Sequence, residues 1–506
     1  MTRRSVLGVL LASAATALTV IPAAPASAHG GADLGDVATN TRGAQVETQG
    51  EGRAMEFVAN LQYNDSGQAQ NGSDIEFMRI GGKEYALAGT LRGGLQIIDI
   101  TDPREPRRVA VYDCRVTQGD IQVWKNRGRV LATYTADGTF GTQGAASQCG
   151  RDLDLQPSAS GTVIVDLTTP SKPRTVSYLH VPRGSHNMTI HPSGDYLYNS
   201  NSDLITSTAP TITIYDVSQP AAPKKVKDFP LPFVPTSLGS ESHDITFNAS
   251  GTRAYSAALS QTLVLDTTDP RDPRIVSQIV DPAVNVAHQS DPVTLTREDG
   301  SKRDVLVVTD ERAGAAASAE CPGGGLHLYD ITGAKEKSPE KIGTWFIPAA
   351  TVQAGATCTS HVLRIYPDQE LATIAWYAQG VRVLDLSALA DYDGDALDVG
   401  IGDGVGITEV GHYVLPDSDT WSFKTNKIAK DGSFFGYGND LVRGFDVYRF
   451  TGETVGDVAP LLPVDLAAAA DSSIGGTAVA GGLALMAPAL LLGAVARRRS
   501  RGRSHG

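Results

Sequence analysis

The chain has 506 residues, 43 basic against 56 acidic side chains, a net charge of -13, and 41% apolar residues. That acidic balance excludes a phosphate-binding surface over most of the chain, and with it a nucleic-acid partner. Four cysteines exclude a disulfide-dense scaffold, and 20% charged residues beside this apolar fraction describe a folding chain.

Arg3 and Arg4 precede an apolar run from Val6 to Ile21, and Ala26-Ser27-Ala28 offers a small-residue cleavage site. Residues 1–28 therefore read as a secretory signal peptide. Thr2-Arg3-Arg4-Ser5-Val6-Leu7 also resembles a twin-arginine signal but lacks a basic residue at Gly8, so the export route stays open. Residues 29–53 are rich in Gly and polar side chains and read as a flexible segment. Met55 to Tyr63 reads as an isolated strand.

A repeat then begins. Leu95-Gln-Ile-Ile-Asp99-Ile-Thr-Asp-Pro103-Arg-Glu-Pro106 recurs as Thr162 to Pro173, Ile212 to Pro223 and Thr262 to Pro273. Weaker copies carry Asp330, Asp385 and Asp446 at the aspartate position. The apolar run makes a buried strand. The aspartate and the following Ser or Thr start a turn by bonding nearby backbone N–H groups. Two prolines three apart then bar further ladder pairing. An upstream half, clearest at Ser242 to Ala258, supplies two more strands around an Asn/Ser/Gly turn. Seven four-stranded units predict an all-β, seven-bladed β-propeller over residues 54–450, against the rival of paired β-sandwiches. The seventh unit ends at Phe450 without an outer strand, and Met55 to Tyr63 is placed to supply it and close the ring.

The strand-Asp-x-Ser/Thr-x-Pro-x-x-Pro pattern, nearest its name at Val163-Ile-Val-Asp166, resembles the LVIVD-repeat family of extracellular β-propellers. The resemblance implies a cell-surface protein of a bacterium and no settled activity. Ala334 replaces the first proline of the fifth unit, and the sixth and seventh lack the pair.

Aligned upstream strands place His186, His243, His288 and His361 at one position in four successive blades, where Asp74 and Asp120 stand in the first two. Equivalent residues converge on the channel of a propeller. Four imidazoles there suit Fe, Cu, Mn or Zn, with Asp74, Asp120 and Asp244 as partners that orient the rings. Equally, the histidines can cap strand ends and fill the channel. Trp421 occupies the seventh place. His180, His191, His327 and His412 fall outside the register and read as ordinary surface or core residues.

Asp391, Asp393, Asp395 and Asp398 alternate like a calcium loop, but Ala396 and Gly402 replace the Gly and Glu that a helix–loop–helix site requires. The cysteines are expected to pair as Cys114–Cys149 and Cys321–Cys358, one of three possible connectivities. No nucleophile elbow, phosphate loop or HExxH occurs. Residues 451–473 read as an acidic, Ala-rich stalk. Ile474 to Ala496 is uncharged and long enough to cross a bilayer as a helix, and residues 497–506 form a basic tail on the cytoplasmic side. A sortase-cleaved anchor is the rival, but Leu462-Pro463-Val464-Asp465 lacks the Thr-Gly it needs.

The sequence thus leads to an exported protein anchored in the bacterial cytoplasmic membrane with its propeller outside. Its expected role is to bind or scaffold an unknown protein or small molecule. The alternative is an extracellular metalloprotein or metal-dependent oxidoreductase built on the histidine ring.

Overall fold

Thr262–Asp266 shows why an uninterrupted apolar run becomes a strand here. Alternation sends Leu263 and Leu265 to one face, against Tyr198, Ile212 and Ile214. Val264 points the other way, against Leu306, Val308 and Tyr329. A sheet with neighbours on both faces needs apolar residues at every position, and burying one Leu or Val contributes roughly 1.5–3 kcal/mol. Val163 and Val165 likewise face Leu87 and Ile97, while Ile164 faces Leu197 and Tyr215.

The computed structural model describes residues 49–64, 69–236, 238–312, 321–348 and 357–452. Every described residue lies in one compact unit. The signal segment 1–28, most of 29–53, the stalk 451–473 beyond residue 452, the apolar segment 474–496 and the tail 497–506 lie outside the described residues. Among the described residues no helix is long and apolar enough to cross a membrane.

Seven antiparallel blades follow one another in chain order. They span Gly72–Tyr112, Val123–His180, Asn187–Pro230, Asp244–Ile279, Ala287–Phe346, Leu363–Val414 and Thr420–Phe450. The all-β, seven-bladed expectation holds, and the sandwich alternative does not. Strand Met55–Leu61 closes the ring as foreseen, pairing with blade seven from Met55↔Phe450 to Leu61↔Phe445.

The repeat aspartate works as read. Asp99, Asp166, Asp216, Asp266, Asp330 and Asp385 each accept the backbone N–H two residues on, at 2.8–3.0 Å. The seventh copy departs from this. Phe445 pairs with Asn439 where blade five pairs Leu326 with Thr309, so Arg449, not Asp446, stands at the turn position. Asp446 lies inside its strand and is buried against Arg443 at 2.7 Å. The strand runs on to Phe450, four residues past Asp446, where the N-terminal strand pairs with it.

Blades five and six share one eleven-stranded sheet, since the hairpin Val399–Ile401 and Asp403–Gly404 bridges their outer strands. Between the second and third strands of blade two lie two short helices, Gly141–Ala146 and Gln148–Asp152. Both expected disulfides form, Cys114–Cys149 and Cys321–Cys358.

Candidate functional site

The innermost strand of each blade begins at one rim, and its backbone fixes what faces the channel. The N–H groups of His186, His243 and His361 bond to the carbonyls of Ser200, Ala257 and Ala375 at 2.9, 2.7 and 3.1 Å. This shared register makes the three residues equivalent. In blade two, however, Gly119 donates to the equivalent carbonyl of Thr135 at 3.2 Å. Ile75 pairs with Ala88 as Ile245 pairs with Ser256. Asp74 and Asp120 therefore stand at the level of Asp244, one residue further into the channel, and the histidine position in those blades belongs to Ser73 and Gly119. Gly119 has φ of +66°, and a Cβ there would lie 2.8 Å from the Tyr134 hydroxyl, so no imidazole can extend the ring at that point.

The four histidines do converge, as an arc. Successive ring centroids from His186 to His243, His288 and His361 are 4.3, 4.3 and 4.2 Å apart. Trp421 continues the arc 4.9 Å from His361. All four imidazoles are buried, at 1–3% exposure.

Residues at or just beyond the ends of the second strands approach the arc, and a search for repeated histidines does not find them. Glu311 is the chief of them. Its Oε2 lies 3.8 Å from His288 Nε2 and its Oε1 3.7 Å from His361 Nε2. Oε1 also accepts the Tyr377 hydroxyl at 2.6 Å. Burial pushes the Glu311 carboxyl up to about 7, against the Tyr377 bond and the His186 charge, which favour ionisation. Asp137 takes the opposite end, 2.9 Å from His186 Nδ1. Burial disfavours the imidazolium of His186, but the Asp137 carboxylate outweighs it and holds the group above its ordinary value. His186 Nε2 in turn lies 3.0 Å from His243 Nε2.

His361 Nδ1 lies 2.6 Å from the Trp421 carbonyl, which can only accept, so this nitrogen donates. Burial depresses the imidazole to about 3, keeping it neutral with its lone pair on Nε2. That lone pair faces the Glu311 carboxylate. Two bonds of about 2.0–2.2 Å to one ion span up to about 4.3 Å, so a single cation can bridge 3.7 or 3.8 Å. Donor atoms of His243, His288 and Glu311 all lie within 4.8 Å of one another. Among the described residues this is the one such group of three.

Below the arc the channel widens into a funnel of about 850 Å³, which opens at the rim of the strand-one turns and reaches His288 and Trp421. Asp74, Asp120, Asp244, Glu76 and Asp291 line it, against Lys424 and Arg364. Lys424 pairs with Asp74 at 2.7 Å and Glu76 at 3.0 Å, and Arg364 also pairs with Glu76. Desolvation opposes ionisation of Glu76, yet the two cations together hold it below its ordinary value. Burial pushes Asp244 up to about 7 and Asp291 to about 6, and burial with repulsion from Asp74 and Asp244 drives Asp120 well above the carboxylate range. Asp137, Gln118, Glu311 and the Trp421 carbonyl are partners of the imidazoles, whereas Asp74, Asp120 and Asp244 stand one residue further into the channel.

The other candidates are tied elsewhere. Asp391 accepts the Glu298 N–H at 3.1 Å, Asp393 lies 3.9 Å from Arg297, and Asp398 accepts the Tyr392 hydroxyl at 2.7 Å. Asp395 accepts the Leu397 N–H at 2.8 Å, so the four carboxylates spread over separate partners. His191 bonds the Gly251 carbonyl at 2.9 Å, and His412 the buried Glu409 at 2.7 Å. Neither belongs to the arc.

The site and fold together define a seven-bladed propeller with a histidine arc in its channel. No family model matches the chain. No curated protein matches it either. Solved propellers resemble it at low identity. A periplasmic gluconolactonase of Pseudomonas aeruginosa is 11% identical with a TM-score of 0.46, covering 71% of this chain and 93% of that one. A putative 6-phosphogluconolactonase of Bacteroides fragilis is 10% identical with a TM-score of 0.43, covering 73% and 91%. The Cps50 (Swd1) β-propeller domain of Myceliophteria thermophila is 10% identical, also at 0.43, covering 74% and 96%. No activity is transferred from any of them.

Proposed function

We propose that this protein is a metal-binding propeller that holds one first-row transition ion, Fe, Cu, Mn or Zn, through His243, His288 and Glu311. The observation that carries the reading is the convergence of these three buried donors, within 4.8 Å, from two inner strands and one rim segment. Two imidazoles and a carboxylate form a mixed N/O donor set that suits such ions. His361 and His186 flank the triad, and the funnel leads from solvent to His288. A metal-dependent oxidoreductase is the enzyme class that fits, because Tyr377 and Trp421, 6.5 Å apart, place two oxidisable rings beside the donors.

Metal content, measured by inductively coupled plasma mass spectrometry on the exported protein, tests the reading. About one equivalent of transition metal is expected, and it is lost in the His243→Ala/His288→Ala variant. A metal-free wild type, equally well folded, overturns it. The second reading, a binding or scaffold module needing no metal, draws on the near-complete burial of the four imidazoles. The metal-free outcome would favour it.

We also propose export and tethering, through residues 1–28 and 474–496, with the propeller outside. Two disulfides and the lack of free cysteines among the described residues support an oxidising compartment. Cell fractionation with protease treatment of intact cells checks this, and a chain found only in the soluble cytoplasm would refute it.

A further inference from the structure

The funnel is lined by more carboxyl groups than cationic side chains. Lys424 and Arg364 are spent on Asp74 and Glu76. Asp120, Asp244 and Asp291, from blades two, four and five, form no ion pair among the described residues, although Arg364 acts on Asp291 from a distance. Among the described residues Asp120 accepts the Met188 N–H and Asp244 the Ile245 N–H, while Asp291 accepts Thr246 and Gln289. Asp74 adds a further open acceptor. It is 6% exposed, and its Oδ2 is buried without a hydrogen-bond partner although Oδ1 holds Lys424. Desolvated carboxylates that repel one another favour a bound cation.

The spacing decides what kind. Among the described residues the donors that gather within reach of one ion are His243, His288 and Glu311, so no three funnel carboxylates can close on a single bare ion. A molecule with several separated charges can reach them. The cavity, about 850 Å³, suits a small organic ligand, and Trp421 adds an aromatic ring to its lining beside which a methylene stem can lie.

We propose that the funnel binds a polyamine-like organic cation, with ammonium groups shared among Asp120, Asp244 and Asp291 and a methylene chain against Trp421. This site lies one and two layers below the histidine arc, so it stands or falls apart from the metal reading.

Isothermal titration calorimetry of spermidine into the full chain tests it, with sorbitol and calcium chloride as comparison ligands. Saturable spermidine binding is expected, with no sorbitol binding. In Asp120→Asn/Asp291→Asn the affinity falls at least about tenfold. The thermal midpoint of that variant is expected at or above wild type, because the change replaces two desolvated carboxyls by neutral carboxamides of the same size. The His243→Ala variant keeps the affinity, because His243 does not line the funnel, which separates this site from the metal. No saturable spermidine binding, unchanged affinity in the carboxamide variant, or calcium binding as tightly as spermidine each overturns the proposal. If the double variant does not fold, Asp120→Asn alone serves, since its amide oxygen can still accept the Met188 N–H.

Discussion

At the scale of single residues, Tyr377 is the informative one. Its hydroxyl holds Glu311 Oε1 at 2.6 Å, and its ring lies 4.6 Å from that of His361. It fixes the carboxylate without offering a donor of its own to a metal bound by His243, His288 and Glu311. Groups in that supporting position typically carry about 10–100-fold in metal affinity. Tyr377→Phe is therefore expected to weaken metal binding by that factor in a chelator competition, while the far-ultraviolet circular dichroism stays unchanged. An unaltered competition curve would show Glu311 to be held by other means. Glu311 and Tyr377 were invisible to a search for repeated histidines because they lie beyond the second strands, not on the first. Aligning the residues two past Thr135, Thr309 and Ala375, which the ladders set at one level, would have grouped Asp137, Glu311 and Tyr377.

At the scale of the element, the aspartate turn deserves a quantitative check, and blade five provides it. Asp330 accepts Thr332 N–H at 2.9 Å and pairs with Lys335 at 2.9 Å and Arg303 at 3.3 Å. Desolvation works against its ionisation, but the Thr332 bonds and the two cations prevail and hold it down at about 2. A carboxyl depressed in the folded state adds stability above its unfolded pKa, near 4, and that gain vanishes as pH falls toward 2. Its size is on the order of 2 kcal/mol. Asp330→Asn is thus expected to lower the unfolding free energy by about that amount at pH 7, with the gap to wild type closing between pH 4 and pH 2. Chemical denaturation across that range checks it, and a gap independent of pH would mean lost packing, not lost charge. The turn was legible because its donor lies two residues away on the same chain. The seventh copy was misread by three residues because its register is set by a partner strand nearly 400 positions earlier, not by local turn chemistry.

At the scale of the whole molecule, stability rests on closure. Met55–Leu61 covers the open edge of blade seven, and Met55 joins the core of Val383, Val410, Phe434 and Phe450. Next to it, Lys424 of blade seven ties Asp74 and Glu76 of blade one, so the last and first blades are locked both at the channel and at the outer edge. Deleting residues 54–62 leaves one strand edge unpaired and uncovers part of that core. We expect a lower thermal midpoint and concentration-dependent aggregation on size-exclusion chromatography. A monomeric deletion variant with an unchanged midpoint would show that the ring needs no such latch.

Sequence alone determined the blade count, the closing strand, six of the seven aspartate turns and the identity of the four channel histidines. Each follows from interactions that repeat at a fixed spacing: alternation across a strand, a side chain capping the N–H two residues on, proline ending a ladder. The tertiary structure alone decided how the ring is broken at Gly119 and Ser73, which carboxylates face the imidazoles, and that Asp74 and Asp120 lie in a layer below them. Those outcomes depend on bulges of one residue and on side chains that meet across the channel from blades far apart in the chain. A one-residue shift in a strand moves a side chain to a new layer, and no local pattern records it.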